Sequence, residues 1–162
     1  MSDEELIAEA LKFEKNLLNF FWRQGVSISE GEDLVQETYM RLWNYRRSYK
    51  PTAKLSTFLF LLARQVRIDA LRRQTSRAER EESWGRDQPT SDGPPAFGVR
   101  EDVRWAVAQL SEPLREVVEL GVFQDLPYAE VGEILGIPVG TVKSRMSNAL
   151  KKLKEVLDDK RS

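Results

Sequence analysis

Apolar residues recur at three- and four-residue steps through most of the chain, and no segment shows the period of two that a half-buried strand requires. Leu6, Ile7, Ala10, Leu11, Leu17, Leu18 and Phe21 predict one helix opened by a capping box of Ser2 and Glu5. Ser29 and Glu32 form a second capping box, ahead of a helix with Val35, Tyr39, Leu42 and the stem of Arg46 turned inward. Behind Pro51 a third helix runs from about Leu55 to Arg80, with Leu55, Leu59, Leu62 and Val66 as its core stripe. Residues 81–100 hold three prolines and three glycines without apolar period and predict a linker. Trp84 and Phe97 stand out there, either as anchors on a partner or as residues packing on a neighbouring domain.

Beyond the linker the pattern predicts a helix near Asp102 to Leu110, then another capped by Ser111 with Pro113 in its first turn. The segment Tyr128 to Asn148 follows: a short helix, a tight turn at Gly136 and Pro138, and a basic helix, which is a helix-turn-helix signature. The final helix buries Val142, Met146, Ala149, Leu150, Leu153 and Leu157 on one side at 100° per residue. The expected fold is all-α, with two small helical domains at 1–80 and 101–162.

Composition removes whole classes of chemistry. There is no cysteine and no histidine, so disulfides, Cys/His zinc sites and imidazole or thiolate catalysis are excluded. No cofactor or metal is expected; Asp33 with Glu37 is the one close carboxylate pair from which a metal-dependent nuclease could be argued. The longest apolar runs fall far short of the roughly 20 residues a membrane helix needs, so neither membrane insertion nor a signal peptide is expected and a cytoplasmic location is.

The net charge of -1 conceals alternating blocks: -6 over residues 1–40, +9 over 41–80, -8 over 81–135 and +5 over 136–154. Two basic blocks suggest two polyanion contacts, solvated helix faces being the other reading. On the last helix Thr141, Ser144, Ser147, Asn148 and Lys151 oppose the buried stripe, flanked by Lys143, Arg145 and Lys152. The polar residues suit base edges and the cations suit phosphates. In the first basic block Phe60, Arg64, Arg67 and Leu71 share a second stripe, with Arg46, Arg47, Tyr49, Lys50 and Lys54 upstream. Aromatics interleaved with arginines fit unpaired nucleic acid; a second core edge explains Phe60 and Leu71 as well. Asp69 is expected to pair with Arg73. Asp33, Gln36, Glu37, Met40 and Asn44 form an acidic and amide face that would repel DNA and suit a basic protein, or simply be solvated.

These segments resemble a known family. Asp33-Leu-Val-Gln-Glu-Thr-Tyr-Met-Arg-Leu-Trp43 is similar to the core-polymerase-binding helix of bacterial sigma factors. Thr57 to Arg73 resembles their promoter-melting helix and Gly140-Thr-Val-Lys-Ser-Arg145 their recognition helix, and two domains with only a linker between them resemble the extracytoplasmic-function class. The resemblance implies a non-catalytic promoter-specificity subunit of core RNA polymerase, associated with the nucleoid through it. Asp33, Gln36, Glu37 and Met40 would dock the polymerase clamp. Arg46, Arg47, Lys50, Lys54, Phe60, Arg64, Gln65 and Arg67 would capture unpaired minus-ten bases. Thr141, Lys143, Ser144, Arg145, Ser147, Asn148 and Lys151 would read the minus-thirty-five duplex. An anti-sigma protein is a further partner of such a subunit. Departures from the family pattern are Phe58 for Trp, Gln65 for Asn, Asn148 at a commonly basic position and Gly132 for Ala. A stand-alone regulator with a helical sensing or dimerisation domain is the alternative; it would bind an operator without polymerase and leaves the +9 block and the acidic face unexplained.

Overall fold

The computed structural model describes residues 2–49, 54–80 and 101–161, and among them every regular element is helical. Lys50, Pro51, Trp84, Phe97 and the segment expected to be a linker lie outside the described residues. The chain divides into two compact units, residues 1–96 and 97–162.

The first unit holds α1 (Asp3–Leu11), α2 (Glu14–Trp22), α3 (Ile28–Asn44), a 3₁₀ turn (Arg46–Ser48) and α4 (Leu55–Arg80). The single N-terminal helix expected from the period is two helices. At the junction the chain makes three-residue closures, Lys12 N–H to Glu9 O and Phe13 N–H to Ala10 O. The break has a packing cause: α1 buries only Leu6 and Ala10, whereas α2 buries all six residues from Leu17 to Trp22. The Tyr39 hydroxyl secures the junction by donating to Ala10 O at 3.0 Å, and its pKa is pushed up to about 12, by burial first and then by the charge of Glu14.

The cap of helix α3 lies two residues before the expected one. Ser27, in extended backbone, accepts from the Glu30 N–H at 3.1 Å, so the capping residue is Ser27 and Ser29 is exposed in the first turn. This start turns Gly31, Leu34, Val35, Thr38 and Leu42 inward and leaves Tyr39 half-buried. The buried Thr38 hydroxyl is satisfied by donating to Leu34 O at 2.8 Å. Helix α4 has 26 residues, about 39 Å of rise, but its core contacts stop near Ala70. Leu71 to Arg77 are all exposed, so its second half projects beyond the apolar core.

The second unit consists of α5 (Glu101–Ala108), α6 (Glu112–Val118) continuing into a π-helical turn (Glu119–Phe123), α7 (Tyr128–Leu135) and α8 (Val139–Arg161). Ser111 precedes α6 in extended backbone with proline in the first turn, as expected from the sequence, although its hydroxyl makes no capping bond. The π turn carries a buried carboxylate, Glu119, which accepts from the Gln124 amide at 2.9 Å. Helix α7 ends on Gly136 in the left-handed region (φ +70°, ψ +34°), and Pro138 O accepts the first amides of α8, from Thr141 and Val142. Val142, Met146 and Ala149 are buried on α8, but Leu150 is 49% exposed. It lies 100° past Ala149 around the helix and falls off the edge of the stripe to which the sequence assigned it.

Gly132 has a definite packing role. A Cβ there would stand 2.7 Å from Ile137 O and 3.6 Å from Val142 Cγ2. The backbone carbonyl of Ile137 thus occupies the space of a side chain. Gly132→Ala gains about 1 kcal/mol of helix propensity but forces a backbone shift costing about 1–3 kcal/mol. The expected outcome in thermal unfolding is a lower Tm for the C-terminal unit; a raised Tm would show that the turn yields freely.

Candidate partner and nucleic-acid interfaces

The outer face of α3 is acidic and apolar together. Asp33, Gln36, Met40 and Asn44 are exposed, Met40 at 66%. Met40 is not an isolated apolar residue among polar ones. With Ile7, Leu11 and Trp43, all exposed, it lines a groove of about 340 Å³ between α1 and α3. The sequence assignment of this face included Met40 but missed Ile7, Leu11 and Trp43. A signal was present: α1 carries two adjacent stripes, Leu6/Ala10 and Ile7/Leu11, and only the first is buried.

Glu37, assigned to the same face, is half-buried in an ionic ladder joining α3 to α4. Arg41 Nη2 donates to Glu37 at 3.0 Å, Arg41 Nη1 lies 2.9 Å from Asp69, and Arg73 reaches Glu37 at 3.3 Å. The expected Asp69–Arg73 pair is therefore replaced: Asp69 pairs with Arg41, and with Arg72 at 3.9 Å. Interhelical geometry overrides the four-residue spacing because Arg41 approaches Asp69 from α3. Burial pulls the Arg41 guanidinium down, but hydrogen bonds with Asp69 and Glu37 outweigh it and hold its pKa above the ordinary value. Among the described residues no group of three or more carboxylates is placed to hold a metal.

The basic residues of unit 1 divide by environment. Arg47, Lys54 and Gln65 are exposed, and Arg64 and Arg67 are half-buried. Arg46 is engaged structurally: it donates to Trp43 O at 2.8 Å, pairs with Asp3 at 3.3 Å and stacks 3.8 Å from the centroid of the Trp43 ring. It caps the C-terminal end of α3 and supports one wall of the apolar groove. Phe60 corrects the sequence assignment most sharply. At 1% exposure it sits edge-on to Phe13 at 6.5 Å and against Phe20 at 5.6 Å, so it is core and cannot stack on a base. Leu71, its partner on the second stripe, is 38% exposed. The aromatic pair near the cations is instead Tyr49 and Phe58, half-buried, with ring centroids 5.5 Å apart at 31°.

In unit 2, Lys143, Ser144, Ser147, Asn148 and Lys151 are exposed, while Thr141 and Arg145 are half-buried. Asn148 and Lys151 also border a groove of about 380 Å³ whose other wall includes Gln109, Ser111 and Leu114. Asn148 thus stands on the side of α8 nearest the α5–α6 turn.

Residues 12–77 match the model of Sigma-70 region 2, and residues 100–153 match that of Sigma-70 region 4. An ECF RNA polymerase sigma factor of Cereibacter sphaeroides, RpoE, is 30% identical over 157 residues, covering 94% of this chain and 87% of that protein. The chain belongs to the ECF sigma factors. SigL of Mycobacterium tuberculosis, another member, is 32% identical over 146 residues, 85% of this chain and 82% of that protein. In structure, the sigma factor is similar to RpoE of Bartonella quintana, solved with the anti-sigma factor NepR, at a TM-score of 0.83 with 25% identity, over 96% of this chain and 98% of that one. CnrH, solved with the cytosolic domain of CnrY, shares the fold at a TM-score of 0.72, over 98% of this chain and 90% of that one, with 19% identity.

The sigma factor is accordingly a promoter-specificity subunit whose partners are core RNA polymerase and promoter DNA, and the stand-alone regulator is not favoured. Among the described residues no helix is long and apolar enough to cross a membrane. The burial of Phe60 separates core from interface experimentally. Phe60→Ala is expected to cost about 3–5 kcal/mol of stability in chemical denaturation. A variant of unchanged stability would return Phe60 to the candidate DNA surface.

Proposed function

We propose that this sigma factor docks core polymerase through one face of unit 1, captures unpaired minus-ten bases with another, and reads the minus-thirty-five duplex with α8. The observation carrying the reading is the separation of chemistries within unit 1: an apolar groove with an acidic rim on α1 and α3, and cations with an aromatic pair around the start of α4. Asp33 and Gln36 supply the rim; Met40, Ile7, Leu11 and Trp43 supply the apolar contact for a clamp helix of the polymerase largest subunit. Tyr49 and Phe58 take the stacking role first given to Phe60, with Arg47, Lys54, Arg64, Gln65 and Arg67 around the strand.

In unit 2, Ser144, Ser147 and Asn148 face base edges, with Lys143, Arg145 and Lys151 on phosphates and Thr141 at the helix entry. The subunit itself catalyses nothing: it selects where polymerase begins, in the cytoplasm. An Asn at position 148 presents a donor and an acceptor, matching adenine, where Arg would favour guanine.

Run-off transcription with bacterial core polymerase on a promoter library tests the whole reading. Tight duplex binding without polymerase-dependent initiation would overturn it. The docking face is tested by Asp33→Lys with Met40→Glu, because both residues are exposed and outside the ionic ladder; the pair should abolish core binding with Tm unchanged, and unaffected binding would mean the face is misassigned. For duplex reading, Asn148→Arg should shift preference from adenine towards guanine at one position by about 1–3 kcal/mol, read from selected promoters. An unchanged selection would remove Asn148 from base readout.

A further inference from the structure

The ladder between α3 and α4 contains one rung unlike the others. Glu37 holds two cations: Arg41, 21% exposed and tied also to Asp69, and Arg73, 60% exposed and reaching Glu37 at 3.3 Å. Arg73 belongs to the second half of α4, which is exposed on every face from Leu71 to Arg77. It borders a polar cleft of about 800 Å³ with Glu30, Asp33 and Glu37 on the α3 wall and Arg72, Arg73 and Arg77 on the α4 wall. Gln74 crosses the same cleft to Glu30 at 3.4 Å. The cleft is therefore self-complementary: carboxylates facing a basic protein and cations facing phosphates neutralise each other in the free chain.

We propose that Arg73 is an exchangeable cation that couples the two surfaces. It pairs with Glu37 in the free subunit, and a basic side chain of the docked polymerase displaces it to the DNA backbone. Arg41 stays in place, because its second carboxylate and its burial hold it whether or not Glu37 is shared. The exchange rests on the reading of α3 as the docking face. Linkage makes it reciprocal: phosphate that draws Arg73 away uncovers Glu37 and strengthens docking. An exposed pair of this kind is worth a modest factor, about two- to fivefold in a binding constant.

The test uses the full-length chain and a fluorescent single-stranded DNA at fixed ionic strength. Glu37→Gln is compared with Asp33→Asn, which removes the same charge from the same cleft wall. Both remove repulsion of DNA, but Glu37→Gln should raise affinity about two- to fivefold more. That excess should vanish in an Arg73→Gln background and when core polymerase is saturating. Arg73→Gln, at an exposed position, should leave Tm unchanged while weakening DNA binding more in the polymerase-bound subunit than in the free one. Equal gains from the two carboxylate variants, or an excess that survives Arg73→Gln, would overturn the exchange. Core binding measured on the same variants separates the two ideas: weakened core binding without an excess sinks the exchange alone, whereas undiminished core binding by both carboxylate variants sinks the docking reading as well.

Discussion

Unit 1 is organised by the burial of Phe60 against Phe20 and Phe13, the contact that fixes where every other surface of α4 points. Each fully buried large apolar side chain contributes about 1.5–3 kcal/mol, several times an exposed ion pair at about 0–1 kcal/mol. Phe60 together with Leu59, Ala63 and Val66 therefore sets the rotation of α4, and the Arg41 and Arg73 links adjust within that setting. Once Phe60 is inside, Phe58 falls 200° away around the helix and remains half-buried beside Tyr49. The aromatic left near the surface is thus decided by the one that is buried.

The helical fold was legible because apolar periodicity reports burial directly. The misreadings share a different cause. Phe60 and Leu71 share a stripe by periodicity, yet one is enclosed by Phe13 and Phe20 and the other lies past the end of the core, a distinction that depends on the elements packed against α4 rather than on α4 itself. Asp69 has a plausible partner four residues away, but the closer guanidinium comes from α3, and no local rule carries that information. The cap at Ser27 instead of Ser29 has the same origin: both serines have a glutamate three residues on, and the inward turn of Gly31 against Leu18 selects between them. Ile7 and Leu11 could have been singled out, since a nine-residue helix with two apolar stripes carries more apolar surface than one contact buries.

In unit 2 the helix-turn-helix depends on backbone more than on side chains. The left-handed Gly136 reverses the chain, Ile137 N–H returns to Gly132 O at 3.0 Å, and the missing side chain at Gly132 lets the turn close onto α7. The π turn after α6 has no sequence signal of comparable strength. Its buried Glu119 is retained in an apolar setting because Gln124, at the end of that same turn, supplies an amide donor. Interfaces on α8 then follow from rotation alone: with Val142, Met146 and Ala149 inward, Ser144, Ser147 and Lys151 are turned out.

The charge blocks take on a sharper meaning beside this geometry. Residues 1–40 carry -6 and residues 41–80 carry +9, yet both belong to one unit, so its field is divided between an acidic α1–α3 side and a basic α4. Such a division orients approaching partners by sign, but at physiological salt the Debye length is about 8 Å, so orientation acts only close to contact. What holds each partner afterwards differs. On the proposed assignment, phosphate contacts on α4 would weaken steeply with salt because they release counterions, whereas a partner in the Ile7, Leu11, Met40 and Trp43 groove would gain from removing apolar area from water, a term that screening leaves intact. The two proposed contacts would thus rest on different physics within one small unit. The carboxylate that Arg41 and Arg73 share ties the helix that carries the groove to the basic helix α4.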